Sequence, residues 1–139
     1  MNKYKFSDIK VGLAKSFEVH VVSSMMDKFL EISNDINSLH QDSHYAKQKG
    51  FSGRVVYGLL TSSFYSTLVG VYLPGKYCIL QGINIQFTKP VYINDILKVY
   101  GEVSYINEAY KCIEIKSTIT NLKSEKVSKA TIKVGIIDE

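Results

Sequence analysis

Arginine is almost missing from this chain. Of its 17 cationic side chains, 16 are lysines and Arg54 is the sole arginine. Proteins that read nucleic acid gather basic residues into a stripe and use arginine's planar fork for paired contacts. Here the lysines are scattered, so a net charge of +4 describes a solvated surface and argues against a nucleic-acid partner. Cysteine is equally scarce. Cys78 and Cys112 lie far apart in apolar, strand-like runs and form no C-x-x-C pair. They read as two buried reduced thiols, not a disulfide or a thiolate metal site. Charge is absent from Val55 to Gly75, a length that raises the question of a membrane span. But Thr61, Ser62, Ser63, Ser66 and Thr67 make the run too polar, and Gly70 and Pro74 interrupt it. A helix buried in protein is expected instead. The start, MNKYKFSDIK, lacks the apolar stretch of a signal peptide, which suggests a cytoplasmic setting. Repeats, low-complexity tracts and linkers are missing too, so one domain over residues 1–139 is expected.

What is present alternates or recurs in readable ways. Ser16 to Val22 places Phe17, Val19 and Val21 on one face, predicting a first strand. Met25, Met26, Phe29, Leu30 and Ile32 recur near helical spacing, predicting a helix over Ser24 to Ser33 that ends at Asn34. Asp35 to Leu39 is rich in turn-forming side chains, and a short helix from Asp42 to Lys49 follows. Tyr57 to Leu73 is the longest helical stretch. Two apolar or weakly polar rows, Leu60-Phe64-Leu68-Val71 and Tyr57-Thr61-Tyr65, predict burial on most sides. Strands are expected over Cys78 to Phe87, Ile96 to Ile106, Ala109 to Asn121 and Lys126 to Ile137. One enclosed helix and about five antiparallel strands are best satisfied by an α+β fold, a curved sheet wrapped around a long central helix.

The chemistry-bearing residues sit between the first and last helices. Asp35 and His40 lie five residues apart on a polar segment, and a carboxylate with an imidazole in reach of one water forms a general acid/base pair. Asn37, between them, can hold the turn or a substrate amide. Gly58 opens the long helix, where backbone N–H groups lack internal partners and the helix dipole adds positive potential. Such an N–H can stabilise an oxyanion forming on a carbonyl. No Ser or Cys sits beside a base at a glycine-flanked elbow, so nucleophilic catalysis is not indicated. His40 and His44 are four apart, but no third ligand type accompanies them, so no metal is expected. Each residue alone has a plainer reading: Asp35 as a turn residue, His40 as a satisfied histidine, Gly58 as a packing glycine.

Together, SNDINSLHQDSHYAKQKGF, VVYGLLTSSFYSTL, LPGK and INIQFTKPVYINDIL resemble the MaoC-like dehydratases, specifically the small (R)-specific enoyl-CoA hydratases. The resemblance runs from about Phe29 to Val103. Asp35, Asn37, His40 and Asp42 fit the family's spacing, as do Phe87, Pro90, Val91 and Asp95. The resemblance implies a hot-dog fold and a homodimer with sheets joined edge to edge. It implies reversible syn addition of water to a trans-2-enoyl thioester, carried on the phosphopantetheine of CoA or an acyl carrier protein, with no metal or redox cofactor. In it, Asp35 and His40 share the water, the Gly58 N–H polarises the thioester carbonyl, and Ser66 helps hold the aspartate. Lys47, Lys49, Lys76 and Arg54 are candidates to meet the carrier's phosphates. Two departures stand out: Ser38 where the family usually has proline, and Tyr57 where it often has histidine. Tyr57 is expected to narrow the acyl pocket or change its oxyanion end. The competing readings are a hot-dog thioesterase, with water attacking the carbonyl, and a non-catalytic acyl-thioester binding module.

Overall fold

The structure is a computed structural model, and it describes residues 1–138. After a 3-10 turn at Phe6–Asp8, the chain forms β1 (Ala14–His20), α1 (Ser23–Ser33), α2 (Ser38–Gln41), α3 (Ser43–Gln48) and α4 (Gly58–Thr67). A π-helical stretch, Leu68–Tyr72, continues α4, and β2 (Cys78–Phe87), β3 (Ile96–Asn107), β4 (Cys112–Thr120) and β5 (Lys126–Ile136) follow. All strand pairs are antiparallel, in the order β1-β3-β4-β5-β2. This is the α+β arrangement expected from the sequence, one central helix against a five-stranded antiparallel sheet.

Alternation decides which side of the sheet meets the helix. Ile113, Ile115, Ser117 and Ile119 of β4 are buried, as are Ser128, Ala130, Ile132 and Val134 opposite them on β5. Leu97, Val99 and Val103 of β3 extend the same layer. Each fully buried aliphatic side chain contributes about 1.5–3 kcal/mol of transfer free energy. Leu68 enters this layer where β3 carries Gly101, at which a Cβ would lie 2.5 Å from the Leu68 Cδ2. The hydroxyls of Tyr65 and Ser128 satisfy each other in the core at 2.7 Å.

Several boundaries differ from expectation. β1 begins and ends two residues early, because Val21 leaves the ladder to exchange hydrogen bonds with Asn94 and Asp95. β4 starts at Cys112 and not Ala109, because the Asn107 side chain accepts from Tyr110 N and Lys111 takes φ 46° in the intervening turn. Residues 38–41, expected as turn, form one helical turn capped by Asn37, and Asp42 caps the next helix. The long helix is not buried all round. Leu59, Ser63 and Ser66 form an exposed stripe, because the sheet covers one side and the serines are neutral to the helical pattern.

Candidate active site

The site is built where α1 stops. Asn34 takes the left-handed conformation at φ 55° and closes α1 with its N–H on the Leu30 carbonyl. Asparagine tolerates that geometry better than most residues. The chain then turns through Asp35, whose N–H donates to Ser33 Oγ and whose Oδ1 accepts from Asn37 N at 3.1 Å. Asn37 Oδ1 in turn accepts from Leu39 N at 2.9 Å, so Asn37 serves the turn. The Asp35 side chain is exposed.

His40 lies on α2. Its Nδ1 is 2.7 Å from the Val55 carbonyl oxygen. A carbonyl only accepts, so Nδ1 carries the proton and the neutral ring keeps its lone pair on Nε2. The His40 backbone is held as well, since Arg54 Nε donates to its carbonyl at 2.6 Å. Gly58 is the first residue of α4, with Tyr57 as its cap. Among the described residues, no group accepts from the Gly58 N–H. Its carbonyl accepts from Thr61 Oγ1 and Ser62 Oγ. A Cβ at Gly58 would come within 2.9 Å of the Phe87 ring, so the glycine permits that close approach.

Asp35, His40 and Gly58 line one cavity of about 540 Å³. Its walls are mostly apolar, with Phe29, Leu39, Phe51, Leu59, Phe87 and Val91 among them. Thr61, Thr88 and Lys89 add polar atoms. An apolar cleft with a few convergent polar groups is the usual form of a small-molecule site. Most of these walls come from positions that carried no site signal of their own in the sequence, although Phe87 to Val91 stood inside the F-x-x-P-V run.

Other expected residues fall elsewhere. Tyr57 is 2% exposed and lies behind the cavity wall, so it does not narrow the pocket. Its hydroxyl points to the Asp35 carbonyl and to Gln41. Burial raises the Tyr57 phenol's pKa, with a smaller push from the Asp35 carboxylate. Ser66 is exposed, eight residues and about 12 Å along the helix axis from Gly58, and no hydrogen bond joins it to Asp35. Lys76 sits beyond the opposite end of the helix, where its N–H donates to the Asn2 carbonyl, and it does not line this cavity. His44 is exposed and contacts Gln48, turned away from His40.

The MaoC-like domain family matches residues 6–127. The chain belongs to that family. The match extends past Val103, into strands where the sequence alone displayed little family signal. The 3-hydroxybutyryl-CoA dehydratase of Methylorubrum extorquens is 34% identical over 99 residues, which is 71% of this MaoC-like chain and 63% of that relative's length. The (R)-specific enoyl-CoA hydratase of Aeromonas caviae is 34% identical over 71% of each chain. Both names denote hydro-lyases. In structure, the (R)-hydratase from A. caviae involved in PHA biosynthesis superposes with a TM-score of 0.88 at 26% identity, covering 92% of this chain and 97% of that one. R-hydratase PhaJ1 from Pseudomonas aeruginosa, at 24% identity, gives 0.90 over 97% and 86%. The MaoC-like chain therefore has the hot-dog fold of these neighbours.

Proposed function

We propose that the protein is an (R)-specific enoyl-thioester hydratase, working reversibly as a 3-hydroxyacyl dehydratase. The observation that carries this reading is the convergence of the Asp35 carboxylate, an imidazole with its Nε2 free, and an unpaired helix-start N–H on one apolar cavity. Asp35 orients a water, and His40 Nε2 takes a proton as the water oxygen bonds to C3 of the enoyl group. The C2=C3 electron pair moves toward the thioester carbonyl, and the Gly58 N–H stabilises the resulting enolate oxygen. The proton then returns to C2 from the same pair on the same face. Water's two parts thus add syn, and reversal expels water. These steps use general acid/base transfer and oxyanion stabilisation only. The relatives' names support the thioester substrate, and the acyl group is carried on CoA or an acyl carrier protein.

The same reading includes a homodimer in a cytoplasmic setting. β2 pairs on one side only, with β5, and leaves Ile79, Leu80, Ile83 and Phe87 exposed. Open apolar strand edges are normally covered. A second copy paired along β2 would cover them and the exposed Leu59. No helix among the described residues is long and apolar enough to cross a membrane.

The test is to mix purified protein with crotonyl-CoA and follow loss of the conjugated enoyl absorbance, then determine the product's configuration. Formation of (3R)-hydroxybutyryl-CoA is expected. Release of free thiol with the double bond intact would instead mark a thioesterase, and saturable binding without turnover of any enoyl thioester in a panel of chain lengths would mark a binding module.

A further inference from the structure

Tyr57 and Gln41 are buried or half-buried polar side chains at the reactive end of the helix that the proposed steps leave unused. The Tyr57 oxygen accepts from Gln41 Nε2 at 2.5 Å and donates to the Asp35 carbonyl at 2.7 Å. Its ring lies against His40, with centroids 4.2 Å apart and planes 29° apart, and against Phe29 at 4.7 Å. One side chain thus touches the backbone of Asp35, the residue after His40 and the ring of His40, and it belongs to the residue just before Gly58.

We infer that Tyr57, braced by Gln41, is the positioning residue that fixes the reach between the Asp35 carboxylate, His40 and the Gly58 N–H. This rests on the hydratase reading above. Asp35 is exposed, and the bonds from its own N–H to Ser33 Oγ and from the Asn37 N–H to its carboxylate tie it only to its own segment. Among the described residues, the Tyr57 hydroxyl makes the one hydrogen bond between residues 34–37 and α4 with its cap. A phenol is needed because a single oxygen must both accept from Gln41 and donate to Asp35. Burial keeps that phenol protonated, and so able to donate, at any ordinary working pH. Small losses of alignment between reacting groups are expensive, so a loosened Asp35 is read out in turnover more than in binding.

The experiment uses full-length Tyr57→Phe, Gln41→Ala and the double variant, with enoyl-CoA turnover measured beside amide hydrogen exchange at Asn37. Tyr57→Phe keeps the ring stack and loses both hydrogen bonds. We expect kcat to fall on the order of tenfold with KM within about twofold, and the Asn37 amide to exchange faster. Gln41→Ala should show a smaller fall, about threefold, and the double variant should be no worse than Tyr57→Phe, because both bonds share one oxygen. A wild-type kcat, or unchanged exchange, in Tyr57→Phe overturns the inference. If Tyr57→Phe fails to fold, Gln41→Ala decides alone: an unchanged kcat overturns, a selective fall supports. If the wild type turns over no enoyl thioester yet Tyr57→Phe frees the Asn37 amide, the hydratase reading fails and the positioning role stands.

Discussion

At its first residue the central helix presents Gly58, with an unpaired N–H, an exposed Asp35 nearby and an open cavity. Its last turn, Leu68–Tyr72, is closed by the chain's own beginning. Asn2 donates its N–H to the Val71 carbonyl and its side-chain amide to the Tyr72 carbonyl at 2.7 Å, and accepts from Lys76 N. Phe17 stacks on Tyr72 with ring centroids 4.7 Å apart. Both ends face the same problem, a row of backbone groups with no partner inside the helix. At the C-terminal end the Val71 and Tyr72 carbonyls are satisfied by Asn2, and at the N-terminal end the Gly58 N–H has no partner among the described residues. Substitutions should therefore separate cleanly: those at the open end alter turnover with little change in stability, and those at the closed end do the reverse.

The largest effect is expected from Asp35→Asn. The side chain is exposed and its hydrogen bond to Asn37 N survives in the amide oxygen, so the urea midpoint should stay close to wild type. If Asp35 orients the water as proposed, removing its charge should lower kcat by on the order of 10²–10⁴. A variant that hydrates crotonyl-CoA at the wild-type rate would remove Asp35 from the reaction.

The two glycines flanking the helix provide a matched pair. At Gly75, with φ +89°, a Cβ would lie 2.2 Å from the Asn2 backbone oxygen, and backbone cannot swing aside. Gly75→Ala should cost about 2–4 kcal/mol in urea unfolding, while the folded fraction keeps its kcat. At Gly58 the added Cβ meets the tip of the Phe87 ring, a side chain that can shift without moving backbone. Gly58→Ala should change stability by no more than about 1 kcal/mol but lower kcat/KM about tenfold or more, by crowding the N–H that faces the carbonyl. Equal stability losses at the two glycines would dissolve the contrast between the ends.

How much of this was legible in the sequence follows the same division. Cys78–Phe87 read correctly as a strand because its apolar run stops at Lys89-Pro90, and β4 read correctly because Ile113, Ile115, Ser117 and Ile119 keep a period of two. Asp35, His40 and Gly58 stood out by spacing, and they do line one cavity. The strap of Asn2 over the helix end did not, since it joins residues about seventy apart and most of its bonds are made by backbone atoms that carry no side-chain signal. The Tyr57–Gln41 bond was hidden for a related reason: it depends on how the 35–41 segment folds back onto the helix. The role of Ser66 was implied by the resemblance alone, and the spacing of small polar residues on a helix does not say which face the sheet leaves open.

The smallest effect concerns the rim of the open end. Lys89 lines the cavity and forms an ion pair with Glu125, which also accepts from Asn121 Nδ2 at 3.2 Å. The Lys89 hydrogen bond, followed by that of Asn121, holds the Glu125 carboxyl below its ordinary pKa. The folded value is thus lower than the unfolded one, so the stabilisation is complete above the unfolded carboxylate value and is lost as pH falls through the folded one. The window runs downward from about pH 5. Because the pair lies at the surface with both side chains about one-third or more exposed, its contribution is small and screened by salt. Glu125→Gln should flatten the dependence of Tm on pH below about 5 at low ionic strength, and that difference should shrink in high salt. Turnover at pH 7 should stay within about twofold, since Glu125 contacts neither reacting group. A Tm–pH curve identical to that of the wild type would mean the rim pair contributes nothing to holding this end of the fold, leaving the hydrogen bonds of the 35–41 segment as its anchor.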